Sequence, residues 1–109
     1  MKRPLIAVDV DGTLIDEHDY PRYEVIDLVI KLSAYCNIHV WSGGGHEYAR
    51  HWVDRLGLTR YVKSVGAKGP EPLPDMVIDD MPGLDEYSDS KIPVINVWPE
   101  YQRGGYPRE

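Results

Sequence analysis

The chain has 109 residues, the length of one domain, with 42% hydrophobic and 28% charged residues. That mixture suits a single packed core, is too moderately charged for a disordered chain, and contains no apolar run near the ~20 residues that span a bilayer. The formal net charge of −6 argues against a general nucleic-acid coat protein or a membrane-surface binder, both of which are normally basic. Only Leu5-Ile6-Ala7-Val8 separates Pro4 from Asp9. This run is too short for a signal-peptide core, so a cytoplasmic protein is expected. Cys36 is the single cysteine, which excludes an intrachain disulfide and a thiolate-only metal site.

In chain order, the apolar run at 4–8 reads as a buried parallel strand, ended by Asp9-Val10-Asp11-Gly12. Residues 12–20 read as a loop. Asp19 is placed as a helix cap with Pro21 in the first turn, opening a helix over about 21–35. Val25, Ile26, Val29, Ile30 and Leu32 form its apolar face. Ile38 to Trp41 give a second strand, broken by Ser42-Gly43-Gly44-Gly45. A second helix is expected over 46–56, with Tyr48, Ala49, Trp52, Val53 and Leu56 inward and Gly57 as its stop. A third strand is placed at 61–65, a fourth at 76–78 before Asp79-Asp80, and a fifth at 92–97. Pro82 to Tyr87 read as one helical turn. Residues 1–98 form the core on this reading, and 99–109 an irregular tail.

Strands alternating with helices imply a mostly parallel five-stranded sheet in a Rossmann-like, three-layer α/β sandwich. Ligands of such sheets lie beyond the carboxyl ends of the strands. Asp9, Asp11, Ser42, Gly43, Asp79 and Asp80 all fall there, and Lys68 lies in the loop entering the fourth strand. Four converging carboxylates repel one another, and a hard cation relieves that repulsion. Oxygen donors without His or Cys favour Mg²⁺. A lysine and a hydroxyl at the same place supply charge and donors for a phosphoryl group.

Asp9-Val10-Asp11-Gly12-Thr13-Leu14 resembles the first motif of the haloacid dehalogenase-like (HAD) superfamily, Asp-x-Asp-Gly-Thr-Leu. Ser42, Lys68 and Asp79-Asp80 resemble its second, third and fourth motifs, and the likeness covers about 4–97. The resemblance implies a Mg²⁺-dependent phosphomonoester hydrolase working through an aspartyl phosphate. Asp9 would then be the nucleophile, and Asp11 the general acid and later base. Asp9, Asp80 and the Asp11 main-chain carbonyl would hold the metal, with Asp79 either beside Asp80 on the metal or just behind it. Ser42, the Gly43 amide and Lys68 would hold phosphate, with Lys63 as the competing lysine.

Family members differ in caps inserted after the first motif or before the fourth. Here 27 residues (15–41) separate Leu14 from Ser42, and ten (69–78) separate Lys68 from Asp79. Neither gap holds a cap domain, so an open site is expected. It would accept a small molecule, a phosphoprotein or a nucleic-acid end, or be covered by a partner in an oligomer. A catalytically silent regulatory or interaction domain is the alternative, although such relatives usually lose the nucleophile or the acid. A phosphoacceptor receiver domain is rejected, because the third strand ends at Val65-Gly66 without a carboxylate. His46, one residue past the glycines, reads equally as a substrate contact or a first-turn surface residue and stays outside the catalytic set; Trp41 and Trp52 read as core.

Overall fold

The computed structural model describes residues 2–80 and 92–97. Five strands and two helices follow one another: β1 (Leu5–Asp9), α1 (Tyr23–Leu32), β2 (Asn37–Ser42), α2 (His46–Arg55), β3 (Ser64–Ala67), β4 (Met76–Asp79) and β5 (Val94–Asn96). They form one sheet in the order β3-β2-β1-β4-β5, and all four pairings are parallel. The α/β class and the parallel sheet are therefore as expected. The helical turn at 82–87 and the tail at 99–109 lie outside the described residues. No described helix is long and apolar enough to cross a membrane.

Strand alternation sorts the core into two faces. Ile6, Val8, Ile38, Val40 and Ile78 point to one face and join Val25, Ile26 and Val29 of α1 and Ala49, Trp52 and Val53 of α2. Ala7, Trp41 and Val77 form a smaller cluster on the other face. Both described helices thus pack on the same side of the sheet, so two layers, not three, are seen among the described residues. Trp41 and Trp52 are core residues, as expected.

Several element boundaries differ from the sequence reading, among them β5, which runs from Val94 to Asn96 instead of over 92–97. The first helix begins at Tyr23 after Arg22, without a side-chain cap. Asp19 does not cap it. Ile15 pairs antiparallel with Pro21, and the Arg22 N–H bonds the Leu14 carbonyl, so residues 21 and 22 are held in the loop. Asp19 instead takes a positive φ of 65° in a turn that the Asp16 carboxylate builds by accepting the His18 and Tyr20 N–H groups. Those bonds, above all that from Tyr20, hold the Asp16 carboxyl below its ordinary range. At its other end α1 stops at Leu32, and residues 33–35 turn tightly onto Ile30, Lys31 and Leu32. The third strand starts at Ser64 instead of 61, because Tyr61 and Val62 both donate to the Leu58 carbonyl in a turn.

Gly57 ends α2 as expected, at φ 72°. The Leu58 N–H reaches the Val53 carbonyl and the Gly57 N–H reaches the Asp54 carbonyl, the paired bonds of a Schellman stop. Leu58 and Val53, both buried, close it with an apolar contact. A Cβ at position 57 would meet no atom within 4 Å, so only the backbone conformation opposes a side chain there. Gly57→Ala is therefore expected to destabilise by about 1–2 kcal/mol. Thermal melting should show a Tm several degrees lower, and an unchanged Tm would mean that this stop contributes nothing.

Candidate active site

The register of β1 against β4 pairs Ala7 with Val77 and Val8 with Ile78. One residue further, Asp9 and Asp79 end their strands side by side on one face. Strand spacing alone would leave two carboxylates about 5 Å apart. Both are buried, Asp79 completely. Lys68 answers this charge: its Nζ lies 3.3 Å from Asp9 Oδ1 and 2.9 Å from Asp79 Oδ2. It is delivered by the β2–β3 ladder, because the Lys68 N–H continues that pairing onto the Ser42 carbonyl at 2.9 Å. Lys63 bonds the Ile38 carbonyl at the opposite, amino end of the sheet. Of the two lysines, Lys68 is the one brought to the acidic residues.

Asp80 completes an acidic group with Asp9 and Asp79, whose ligand oxygens all lie within 4.8 Å of one another. Burial pushes the Asp9 carboxyl up to about 7; the Asp79 charge adds to the rise and Lys68 opposes it. Asp80 is raised to about 6, first by burial and then by Asp79. One lysine against three carboxylates leaves excess negative charge when all are ionised. The donors are all hard carboxylate oxygens, which suits a divalent cation of the Mg²⁺ type. Asp9, Asp79 and Asp80 are the residues that could hold it. The Asp11 carboxylate does not belong to this group.

The tight turn after β1 fixes the remaining residues. The Val10 carbonyl accepts from the N–H groups of Thr13, Leu14 and Ile15. Thr13, fully buried, donates its hydroxyl to Asp9 Oδ2. Gly12 has φ 79°, and a Cβ there would run into the Asp80 carboxylate. A side chain at position 12 would thus be strained and would displace an acidic residue. Arg22 is buried and donates to the Gly12 carbonyl at 2.6 Å and the Val97 carbonyl at 2.8 Å. It ties the turn to the end of β5.

Asp11 is exposed, and its Oδ1 accepts a 2.7 Å hydrogen bond from the Tyr48 hydroxyl on α2. Burial, then Asp11 itself, pushes the Tyr48 hydroxyl up to about 12, so it stays a donor at any working pH. Ser42 is buried at the end of β2, where its Oγ accepts the Gly44 N–H at 3.0 Å. Above Gly43 a Cβ would find open space. Asp9, Asp79, Asp80 and Lys68 are in contact; Ser42 is joined to Lys68 through the backbone, and Asp11 stands at the rim on the Tyr48 side. Loops 10–22 and 68–75 carry no inserted domain, so none covers the site there.

No known protein family, curated protein or solved structure matches the chain.

Tyr48 and Arg22 were not legible as site residues. Tyr48 lies at helical spacing from Trp52 and reads as one more apolar residue. Arg22 reads locally as a partner of Glu24, with which it does pair, but its bonds to the site turn and to Val97 span ten and 75 residues.

Proposed function

We propose that the protein is a Mg²⁺-dependent phosphomonoester hydrolase with an open, HAD-like site. The observation that carries this reading is the contact of Asp9 with Lys68 beside Asp79 and Asp80, with Asp11 two residues on and clear of the cluster. Asp9 would attack phosphorus through a carboxylate oxygen and form an acyl phosphate as the alcohol leaves. Asp11, outside the acidic group and reachable from solvent, would give its proton to the leaving oxygen. It would then take one from the water that cleaves the acyl phosphate. Lys68 offsets charge on Asp9 and the transferred group. Mg²⁺ bound by Asp9, Asp79 and Asp80 would neutralise phosphate charge and orient the phosphoryl group. The three-layer sandwich implied by this reading needs helical cover on the face of Ala7, Trp41 and Val77 as well.

The direct test is hydrolysis of an aryl phosphate with and without Mg²⁺, followed by mass spectrometry of acid-quenched protein. A phosphoryl adduct on Asp9 is expected. Metal binding without turnover of any phosphate ester would instead favour a silent interaction domain.

On this reading Tyr48 positions the acid. Tyr48→Phe keeps the ring in place and removes the hydroxyl that bonds Asp11. The kcat/KM on an alkyl phosphate, whose leaving oxygen needs a proton in the first step, is expected to fall about tenfold. That on 4-nitrophenyl phosphate should fall much less. Equal losses on the two substrates would mean that Tyr48 supports folding and not Asp11.

A further inference from the structure

A hollow of about 720 Å³ opens between the 18–21 loop and α2, lined by Asp19, Tyr20, His51, Trp52, Arg55 and others. Its lining includes none of the site residues; Tyr48, one helical turn before Trp52 on α2, links it to Asp11. Tyr48, Trp52 and Arg55 follow one another down one face of α2 at spacings of four and three residues. The Tyr48 hydroxyl that holds Asp11 also feels the Trp52 indole and the Asp19 charge, both from the wall of the hollow. If Asp11 protonates the leaving oxygen, the leaving group departs on this side. This inference therefore rests on the hydrolase reading and extends it to the substrate.

The lining is unlike the rest of an acidic chain. Tyr20 leaves 66% of its surface exposed, with its ring tilted against that of His18 at 6.5 Å between centres. The Arg55 guanidinium lies over the Trp52 ring, 5.9 Å from its centre, and has no carboxylate partner among the described residues. His51 stands edge-on to the same indole. An exposed ring and a guanidinium held in place by stacking are complementary to a planar base and an anionic oxygen group. The volume is that of a drug-sized or nucleotide-sized ligand, far beyond a simple alkyl group. Arg55 lies seven residues beyond Tyr48, about 10 Å along the helix axis, so its anion is a second one and not the reacting phosphate.

We propose that this hollow receives the leaving group of the substrate, and that this group is a nucleotide unit carrying a second phosphate. Tyr20 stacks on the base and Arg55 pairs with the second phosphate. Two sources share this chemistry: a free nucleoside bisphosphate and the phosphorylated end of an oligonucleotide.

The test compares kcat/KM on 4-nitrophenyl phosphate, a nucleoside 3′,5′-bisphosphate, a 3′-phosphorylated trinucleotide and a phosphotyrosine peptide. Both nucleotide substrates are expected to exceed the aryl phosphate at least tenfold, and the better of the two identifies the source. Arg55→Ala and Tyr20→Ala should each raise KM for nucleotides roughly tenfold, several times more than for the aryl phosphate. Arg60→Ala, at the far end of the sheet, should change neither and so controls for net charge. Nucleotide binding by the Asp9→Asn protein, followed by tryptophan fluorescence, gives a readout without turnover. Binding that Arg55→Ala abolishes, in a protein that hydrolyses nothing, would sustain the hollow and remove the hydrolase reading. An active enzyme that prefers the peptide or the aryl phosphate, with both hollow variants neutral, would overturn the nucleotide assignment.

Discussion

Asp9→Asn is expected to abolish turnover, while Asp11→Asn leaves a slow enzyme that depends on its leaving group. The two residues differ in position although they are only two apart. Asp9 is buried between Lys68 and Asp79, where a carboxylate oxygen faces phosphorus on the proposed reading. An amide there supplies no attacking oxygen anion, so the loss should be on the order of 10⁴–10⁶-fold, and no phosphoryl adduct should form. Asp11 is exposed and held by Tyr48 at the rim. Its amide leaves attack intact and removes proton transfer, a loss of roughly 10²–10⁴-fold on an alkyl phosphate. With 4-nitrophenyl phosphate the first step needs no proton, and a phosphoryl-enzyme should accumulate because water is no longer activated. A burst of nitrophenol followed by slow steady turnover is the signature to look for. A burst from the Asp9 variant, or none from the Asp11 variant, would reverse the assignment.

The same pair explains what the sequence disclosed. Apolar residues at 5–8 running straight into Asp9 identify a buried parallel strand with a carboxylate at its end, and 76–79 repeat the pattern. Once β1 and β4 are neighbours, the register makes Asp9 and Asp79 adjacent. Lys68 and Lys63 compete in the sequence because a surface lysine is the default for either; the turn on Leu58 and the β2–β3 ladder decide between them by carrying Lys68 to the carboxyl end. The entry to α1 was hidden for a similar reason. Asp19 and Pro21 are favourable capping residues locally, but the Ile15–Pro21 pairing and the long bonds of Arg22 to Gly12 and Val97 override that preference. The Tyr48–Asp11 bond spans 37 residues and depends on where α2 lies, which residue spacing does not reveal.

Stability in the absence of metal should fall as pH rises, and Mg²⁺ should reverse that fall. Asp9 is raised from 3.8 to about 7 and Asp80 from 3.8 to about 6, mainly by burial and then by Asp79. An acid with a raised folded-state pKa binds more protons folded than unfolded between the two values. Its stabilising contribution is complete below about 3.8 and is lost as pH rises through about 6 to 7. Acid unfolding through other carboxylates limits the gain at low pH, so the Tm of metal-free protein should be highest near pH 5 and decline towards pH 8. Mg²⁺ binds the ionised carboxylates, so its effect should be large at pH 8 and small at pH 5. At a hundredfold excess over Kd it contributes about 2.7 kcal/mol, or a Tm rise on the order of 10 °C for a domain of this size. Asp9→Asn removes one of the repelling charges. It should therefore melt higher than the natural protein at pH 8 without metal, and gain less from Mg²⁺. Turnover should stop with EDTA and return with Mg²⁺. A metal-free Tm that climbs from pH 5 to 8, or equal Mg²⁺ effects on the natural protein and Asp9→Asn, would show that Asp9, Asp79 and Asp80 do not form a cation site.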